Sequence, residues 1–260
     1  MEFTINRDVL LQSISNAYGI IEKKSTLPIL SNILIEAKDS NIKITSTDLD
    51  IIYSEKINSE EIKREGSTTT SASILHDILR KIEPNSKVEL SLQDSNKLKI
   101  LSGNSKFNLL CISSENFPIV DDKTNDKILE VSSGKLLKLL NKTKISISND
   151  ETRHYLNGIY LHKIKVENKS FLSGVATDSH RLSSSSLEIE QNIDFEPIIL
   201  PKKTIFQLIN LLDKNTGVIK ISNNKSKIKF EMNGSILISK VIDGRFPDYS
   251  KVIPRDNEKV

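Results

Sequence analysis

The chain has 260 residues, 37% of them hydrophobic and 27% charged, which excludes a disordered segment and leaves room for two domains of ordinary size. No stretch approaches the ~20 consecutive apolar residues of a membrane helix, the opening Met1-Glu2-Phe3-Thr4-Ile5-Asn6 reads as no secretory leader, and the single cysteine, Cys111, excludes an intramolecular disulfide or a Cys-based metal site. A reduced cytoplasm fits these features, and the net charge of +3 permits nucleic-acid binding where positive charge is segregated on one face.

Glu2 to Ile5 alternate as a short strand. Arg7 to Tyr18 follow as an amphipathic helix, with Asn6 where an N-cap side chain accepts from free backbone amides. Asn41-Ile42-Lys43-Ile44-Thr45 alternates with period two, as does a strand with one face on a core. Ile74, Leu75, Ile78, Leu79 and Ile82 keep the i, i+3, i+4 spacing of a helical stripe. Ser102-Gly103 marks a turn, and Phe117-Pro118 closes this half. The pattern then starts again. Ile128 to Val131 open a strand, Ser133 stands at an N-cap, and Gly134 to Lys142 form a helix. A second stripe runs through Ile205, Phe206, Leu208, Ile209 and Leu212, with turns at Asn223-Asn224 and Asn233-Gly234 before Phe246-Pro247.

The two halves are copies in register. Leu10-Leu11 returns as Leu136-Leu137 and Leu30 to Ile35 as Leu156 to Leu161, both at an offset of 126. Thr47-Asp48 returns as Thr177-Asp178 at 130, and Phe117-Pro118 as Phe246-Pro247 at 129. Interleaved helices and antiparallel strands make each copy α+β, with two helices on one face of the sheet. The expected organisation is a domain at 1–122, a linker at 123–127, a second domain at 128–250, and at 251–260 a linker leading to where a third copy would begin.

Enzyme signatures are missing. The nine glycines form neither GxGxxG nor a Walker loop, and GxSxG, HExxH and HxE with CxxC do not occur. His76, His154, His162 and His180 are scattered, and Asp121-Asp122 and Asp150-Glu151 read as solvated turns rather than a catalytic or Mg²⁺-binding pair. No cofactor or metal is implied.

Val175-Ala176-Thr177-Asp178-Ser179-His180-Arg181-Leu182 and Val241-Ile242-Asp243-Gly244-Arg245-Phe246-Pro247-Asp248-Tyr249 resemble the paired ATDGHRL and DGRFPDY signatures of the bacterial sliding-clamp family, the beta subunits of DNA polymerase III. The opening MEFTINRDVLL, Thr26 to Leu30 and Arg153 to Gly158 resemble it too, so the likeness covers essentially the whole chain and corresponds to the first two of the family's three domains. The resemblance implies tandem sliding-clamp domains and a non-catalytic processivity factor of the replicative polymerase. In the full-length protein it implies a homodimer ring around double-stranded DNA, bound without regard to sequence. It also implies polymerase, clamp-loader and repair partners docking through short linear peptides, with no membrane. DNA-binding candidates are Lys23, Lys24, Lys135, Lys138, Lys142, Arg153, His154, Tyr155, Lys202 and Lys203. Lys135, Lys138 and Lys142 share one helix face, which without the resemblance is an ordinary solvated face. The peptide-pocket candidates are Leu156, Thr177, Ser179, His180, Arg181, Leu182, Pro247, Lys251 and Val252; Asp178 is assigned to turn structure, because Asp48 repeats it. Ser179 stands where the family more usually has Gly and Lys251 where it has Arg. A non-encircling nucleic-acid-binding module and an enzyme with a site spanning the copies are the rival readings.

Overall fold

A computed structural model describes residues 1–22, 27–94, 96–118, 124, 127–190 and 194–253. The first copy runs β1 (Glu2–Asn6), α1 (Arg7–Tyr18), β2 (Asn32–Lys38), β3 (Asn41–Thr47), β4 (Ile51–Asn58), β5 (Glu61–Arg64), β6 (Gly66–Ser71), α2 (Ala72–Lys81), β7 (Lys87–Asp94), β8 (Lys97–Ser102) and β9 (Ser105–Ile112). The second runs β10 (Leu129–Ser132), α3 (Ser133–Thr143), β11 (Gly158–Val166), β12 (Lys169–Thr177), β13 (Leu182–Ile189), β14 (Ile198–Pro201), α4 (Lys202–Asp213), β15 (Val218–Asn223), β16 (Lys227–Met232) and β17 (Ser235–Lys240). Most of the expected linker falls outside the described residues.

The duplication extends to strand order. β4-β3-β2-β6 recurs as β13-β12-β11-β14, and β9-β8-β7-β1 recurs as β17-β16-β15-β10. β5, paired on the edge of β1, has no counterpart among the described residues. β6 meets β9 through two residue pairs, whereas β14 meets the segment just after β17 through the isolated bridge Ile199–Ile242. The copies join edge to edge: β17 pairs antiparallel with β4 from Ser235↔Glu55 to Ser239↔Ile51.

Local sequence explains the helices. Asn6 caps α1, its Oδ1 accepting from Asp8 N at 2.9 Å and Val9 N at 3.4 Å. Leu10, Ile14 and Ala17 then fall at i, i+4 and i+7 and are fully buried. Ser133 does something other than cap. It is the first helical residue of α3, and its Oγ accepts from Gly217 N at 3.2 Å, tying the helix start to β15. α1 packs on α2 and α3 on α4, each pair on one sheet face, and one apolar core runs through both copies.

At the junction, Gln207 on α4 donates to Asn16 O on α1 at 2.9 Å, Lys203 pairs with Asp48, and Lys240 pairs with Asp50 at 2.9 Å. Exposed ion pairs contribute about 0–1 kcal/mol, while each buried large apolar side chain contributes roughly 1.5–3 kcal/mol. Tyr53 and Leu237, paired across β4 and β17 and fully buried, therefore hold the junction more than the exposed Lys240–Asp50 pair does.

Candidate functional site

Two surfaces carry the candidate residues. On α3, Leu136, Leu139 and Leu140 point into the core, which leaves Lys135, Lys138 and Lys142 exposed. None of these three lysines has an acidic partner among the described residues. Lys202 and Lys203 open α4, but both are engaged: Lys202 Nζ on Asn149 Oδ1, and Lys203 Nζ on the nearly buried Asp48 carboxylate across the junction. Lys203 is thus an interdomain contact, unlike the three free lysines of α3. Lys23 and Lys24 lie outside the described residues.

Arg153, His154 and Tyr155 fall beside the other surface. Arg153 Nε donates to Asp150 Oδ2 at 2.8 Å and its Nη1 to Ser179 Oγ at 2.7 Å. His154 Nε2 lies 3.1 Å from Asp243 O, and Tyr155 packs against Gly244 so closely that a Cβ there would sit 3.0 Å from the Tyr155 Cβ. Thr152 and then Arg153 hold the Asp150 carboxyl down at about 2 by hydrogen bonding to its charged form. The family resemblance points these three residues at DNA; in the structure they contact Asp150, Ser179, Asp243 and Gly244.

The peptide-pocket candidates gather on the sheet face away from the helices. Ile159 and Leu161 on β11 face the main core, so Tyr160 and His162 face outward. Tyr160 lies opposite Val175 on β12 and Ile199 on β14. Leu156, Val175, Ile199 and Phe246 form a separate buried cluster there, with Tyr155, Tyr160, Leu182, Ile242 and Tyr249 packed on it. Segments 153–156, 177–182 and 246–249 are therefore brought together. Pro247, Lys251 and Val252 lie at its exposed margin, where Val252 is 67% accessible and Lys251 Nζ is 3.3 Å from Asp248.

Residues 177–181 form a turn closed by side-chain hydrogen bonds. Thr177 Oγ1 accepts from Ser179 N at 3.1 Å and donates to Arg181 O at 2.8 Å. Asp178 Oδ1 accepts from His180 N and Arg181 N, both at 3.0 Å, and Oδ2 from Arg181 Nε at 2.9 Å. These bonds, the His180 amide first and the Arg181 side chain next, keep the Asp178 carboxyl at about 2. Ser179 has φ +77°, a left-handed conformation that glycine adopts without strain, which explains why glycine suits this position. The first copy repeats the bonds to the turn's backbone: Thr47 Oγ1 bonds Leu49 N and Ile51 O, Asp48 Oδ1 accepts from Asp50 N and Ile51 N, and Leu49 also has φ +77°. Asp178 is thus turn structure.

Four contributors were missed from sequence: Val175, Ile199, Tyr160 and Tyr249. An aromatic ladder extends the cluster. Phe246 stacks on Tyr160 at 5.0 Å, Tyr160 on His162 at 4.4 Å, and His162 Nε2 shares a 3.0 Å hydrogen bond with Tyr249 OH. Burial lowers the His162 pKa and favours the neutral ring. The outward parity of Tyr160 and His162 along β11 was the available signal.

Residues 1–121 match the DNA polymerase III beta subunit, N-terminal domain, and residues 130–248 match its central domain. The beta sliding clamp of Caulobacter vibrioides is 36% identical over 263 residues, covering 100% of this chain and 70% of that protein. The Haemophilus influenzae beta sliding clamp is 30% identical over 260 residues, with the same coverage. Among solved structures, the Caulobacter crescentus beta sliding clamp superposes with a TM-score of 0.95 at 36% identity, over 100% of this chain and 69% of that one. The DNA polymerase III subunit beta of Bartonella birtlesii, bound to griselimycin, gives 0.94 at 35% identity over 99% and 69%. The chain belongs to the DNA polymerase III beta subunit family, the beta sliding clamps.

Proposed function

We propose that this chain works as a non-catalytic tether, holding a replicative polymerase and other partners on duplex DNA through two opposite faces. The carrying observation is the segregation of chemistry: free lysines on the helix side, and a preformed apolar cluster with a rigid polar rim on the outer sheet side. Lysines aimed at phosphates bind any sequence, and loose contacts of that kind permit sliding. An apolar anchor entering the Leu156, Val175 and Leu182 cluster supplies the larger part of partner affinity, while the turn orients the peptide. Relatives of the family and a clamp bound to griselimycin support this reading, as does the edge-to-edge joining of the copies, which suits a closed ring in the full-length homodimer. Cytoplasmic action on the chromosome, loading by a clamp loader and recruitment of repair proteins belong to the same reading.

The test separates the faces. Leu182→Asp should weaken a labelled peptide ending in Leu-Phe at least ~10-fold, since about 1.4 kcal/mol is a tenfold change, while leaving duplex affinity unchanged. Replacing Lys135, Lys138 and Lys142 by alanine should do the reverse. If either variant weakens both ligands equally, the two-face reading fails.

A further inference from the structure

The repeat also builds a groove at the junction of the two copies. It encloses about 770 Å³ on the outer sheet face, lined by Leu34, Ile52, Phe117, Pro118, Ile236 and Ile238. An offset of 126 carries Leu34 to Tyr160, 129 carries Phe117-Pro118 to Phe246-Pro247, and 130 carries Ile52 to Leu182 and Thr45 to Val175. The cross-strand row Ser54–Thr45–Leu34 thus has the same place as Ser184–Val175–Tyr160. In the first copy the wall beyond β4 is present in the chain itself: β17 sets Ile238 opposite Ile52 and Ile236 opposite Ser54. Leu34, Ile52 and Ile236 are only half-buried, so the groove keeps apolar surface open.

We propose that this groove is a second peptide-docking site, taking an extended partner segment that seats an aliphatic or aromatic side chain over Leu34, Ile52 and Ile236 and a carboxylate beside Lys56. The ligand class rests on the partner-pocket reading of the second copy; the groove and its charges stand independently of it. Four charged residues line it. Glu36 and Lys43 lie 3.4 Å apart, and Glu231 is 2.8 Å from Lys229. Lys56, exposed on β4, is the lining charge with no acidic partner among the described residues. An acidic residue flanking the anchor completes it. The strands forming the floor are already paired on both sides, so recognition comes through side chains rather than through an added strand. A volume of this size accommodates one or two large side chains.

The test uses the full chain with ¹³C-labelled isoleucine and leucine methyl groups, titrated with acetyl-Asp-Leu-Phe and acetyl-Lys-Leu-Phe. Saturable shifts at Ile52, Ile236, Ile238 and Leu34 are expected with the Asp peptide, and about threefold weaker binding with the Lys peptide, as for one exposed ion pair. Lys56→Glu, an exposed change that spares the fold, should invert that preference. Leu182→Asp should abolish shifts at the second-copy pocket and leave the junction shifts intact. Shifts confined to Leu156 and Leu182 would overturn the junction site while leaving the partner pocket standing. Shifts at neither place would overturn both. Junction shifts that track protein concentration instead of peptide would make the groove a contact between copies of the chain, and would also overturn the proposal.

Discussion

Removing the three free lysines of α3 tests whether the helix side faces DNA. Lys135, Lys138 and Lys142 are exposed and lack acidic partners among the described residues, so truncation to alanine breaks no ion pair and leaves the buried leucines of α3 in place. Each lysine that neutralises a phosphate adds about 0.9 to the slope of log K against log salt, so losing three should flatten it by about 2.7. Over a fourfold rise in salt the unaltered chain should then lose about 40-fold more affinity than the variant. The assay is fluorescence anisotropy of a labelled duplex at several salt concentrations, repeated on unrelated sequences. The loss should be the same on each duplex, because phosphates carry no sequence information. An unchanged slope would refute the reasoning and return these lysines to an ordinary solvated face. A fall of about 0.9 would mean that one lysine of the three reaches a phosphate.

Lys203→Ala should behave differently, because its ammonium is held by Asp48, whose side chain is 5% exposed. Its denaturant midpoint should fall by the equivalent of about 1 kcal/mol, with the salt slope unchanged. Leu49→Gly should raise stability by about 0.5 kcal/mol in the same unfolding assay, since Leu49 is exposed and sits at φ +77°. For the rim turn, the folded pKa of Asp178 is about 2, below the unfolded value near 3.9. Its stabilising contribution is therefore complete above about pH 5 and is lost as pH falls through about 4 towards 2. Carboxyl NMR titration should show that midpoint, and Arg181→Ala should move it upward.

The repeat, the helices and the motif segments that cluster on the outer sheet face were legible because each depends on local periodicity or on motifs that recur in register. α1 kept both its span and its Asn6 cap, for the cap needs only residues two and three positions away. Ser133 misled because its competitor, Gly217 N, lies 84 residues off, and nothing local announces that contact. The partners of Lys203 and Arg153 were out of reach for the same reason: exposure and charge are visible in sequence, whereas Asp48 and Ser179 are brought to them by tertiary packing. Tyr160 was within reach, since period-two alternation on β11 opposes it to the core-facing Ile159 and Leu161. It went unread because a tyrosine between buried aliphatics looks like a surface position until a second apolar cluster on the outer face is considered.

The duplicated turn shows how one backbone device serves two ends. Thr47–Ile51 and Thr177–Arg181 share hydrogen bonds and the left-handed third residue, so the turn is set by its Thr-Asp pair and not by what surrounds it. The residues after the Asp then decide the use. In the first copy Asp50 pairs with Lys240 of β17 and Ile51 is 2% exposed, because β17 lies against them. In the second copy those positions are His180 and Arg181, both exposed, and no described strand lies along the outer edge of β13. The apolar Ile51 suits a covered position and the charged Arg181 an open one. Burying an arginine whose guanidinium is only partly paired is costly, so Arg181 at a covered junction would have to find the partners that Asp178 now supplies through Nε alone. The substitution pattern at this one turn thus separates a covered interdomain seam from an open sheet edge.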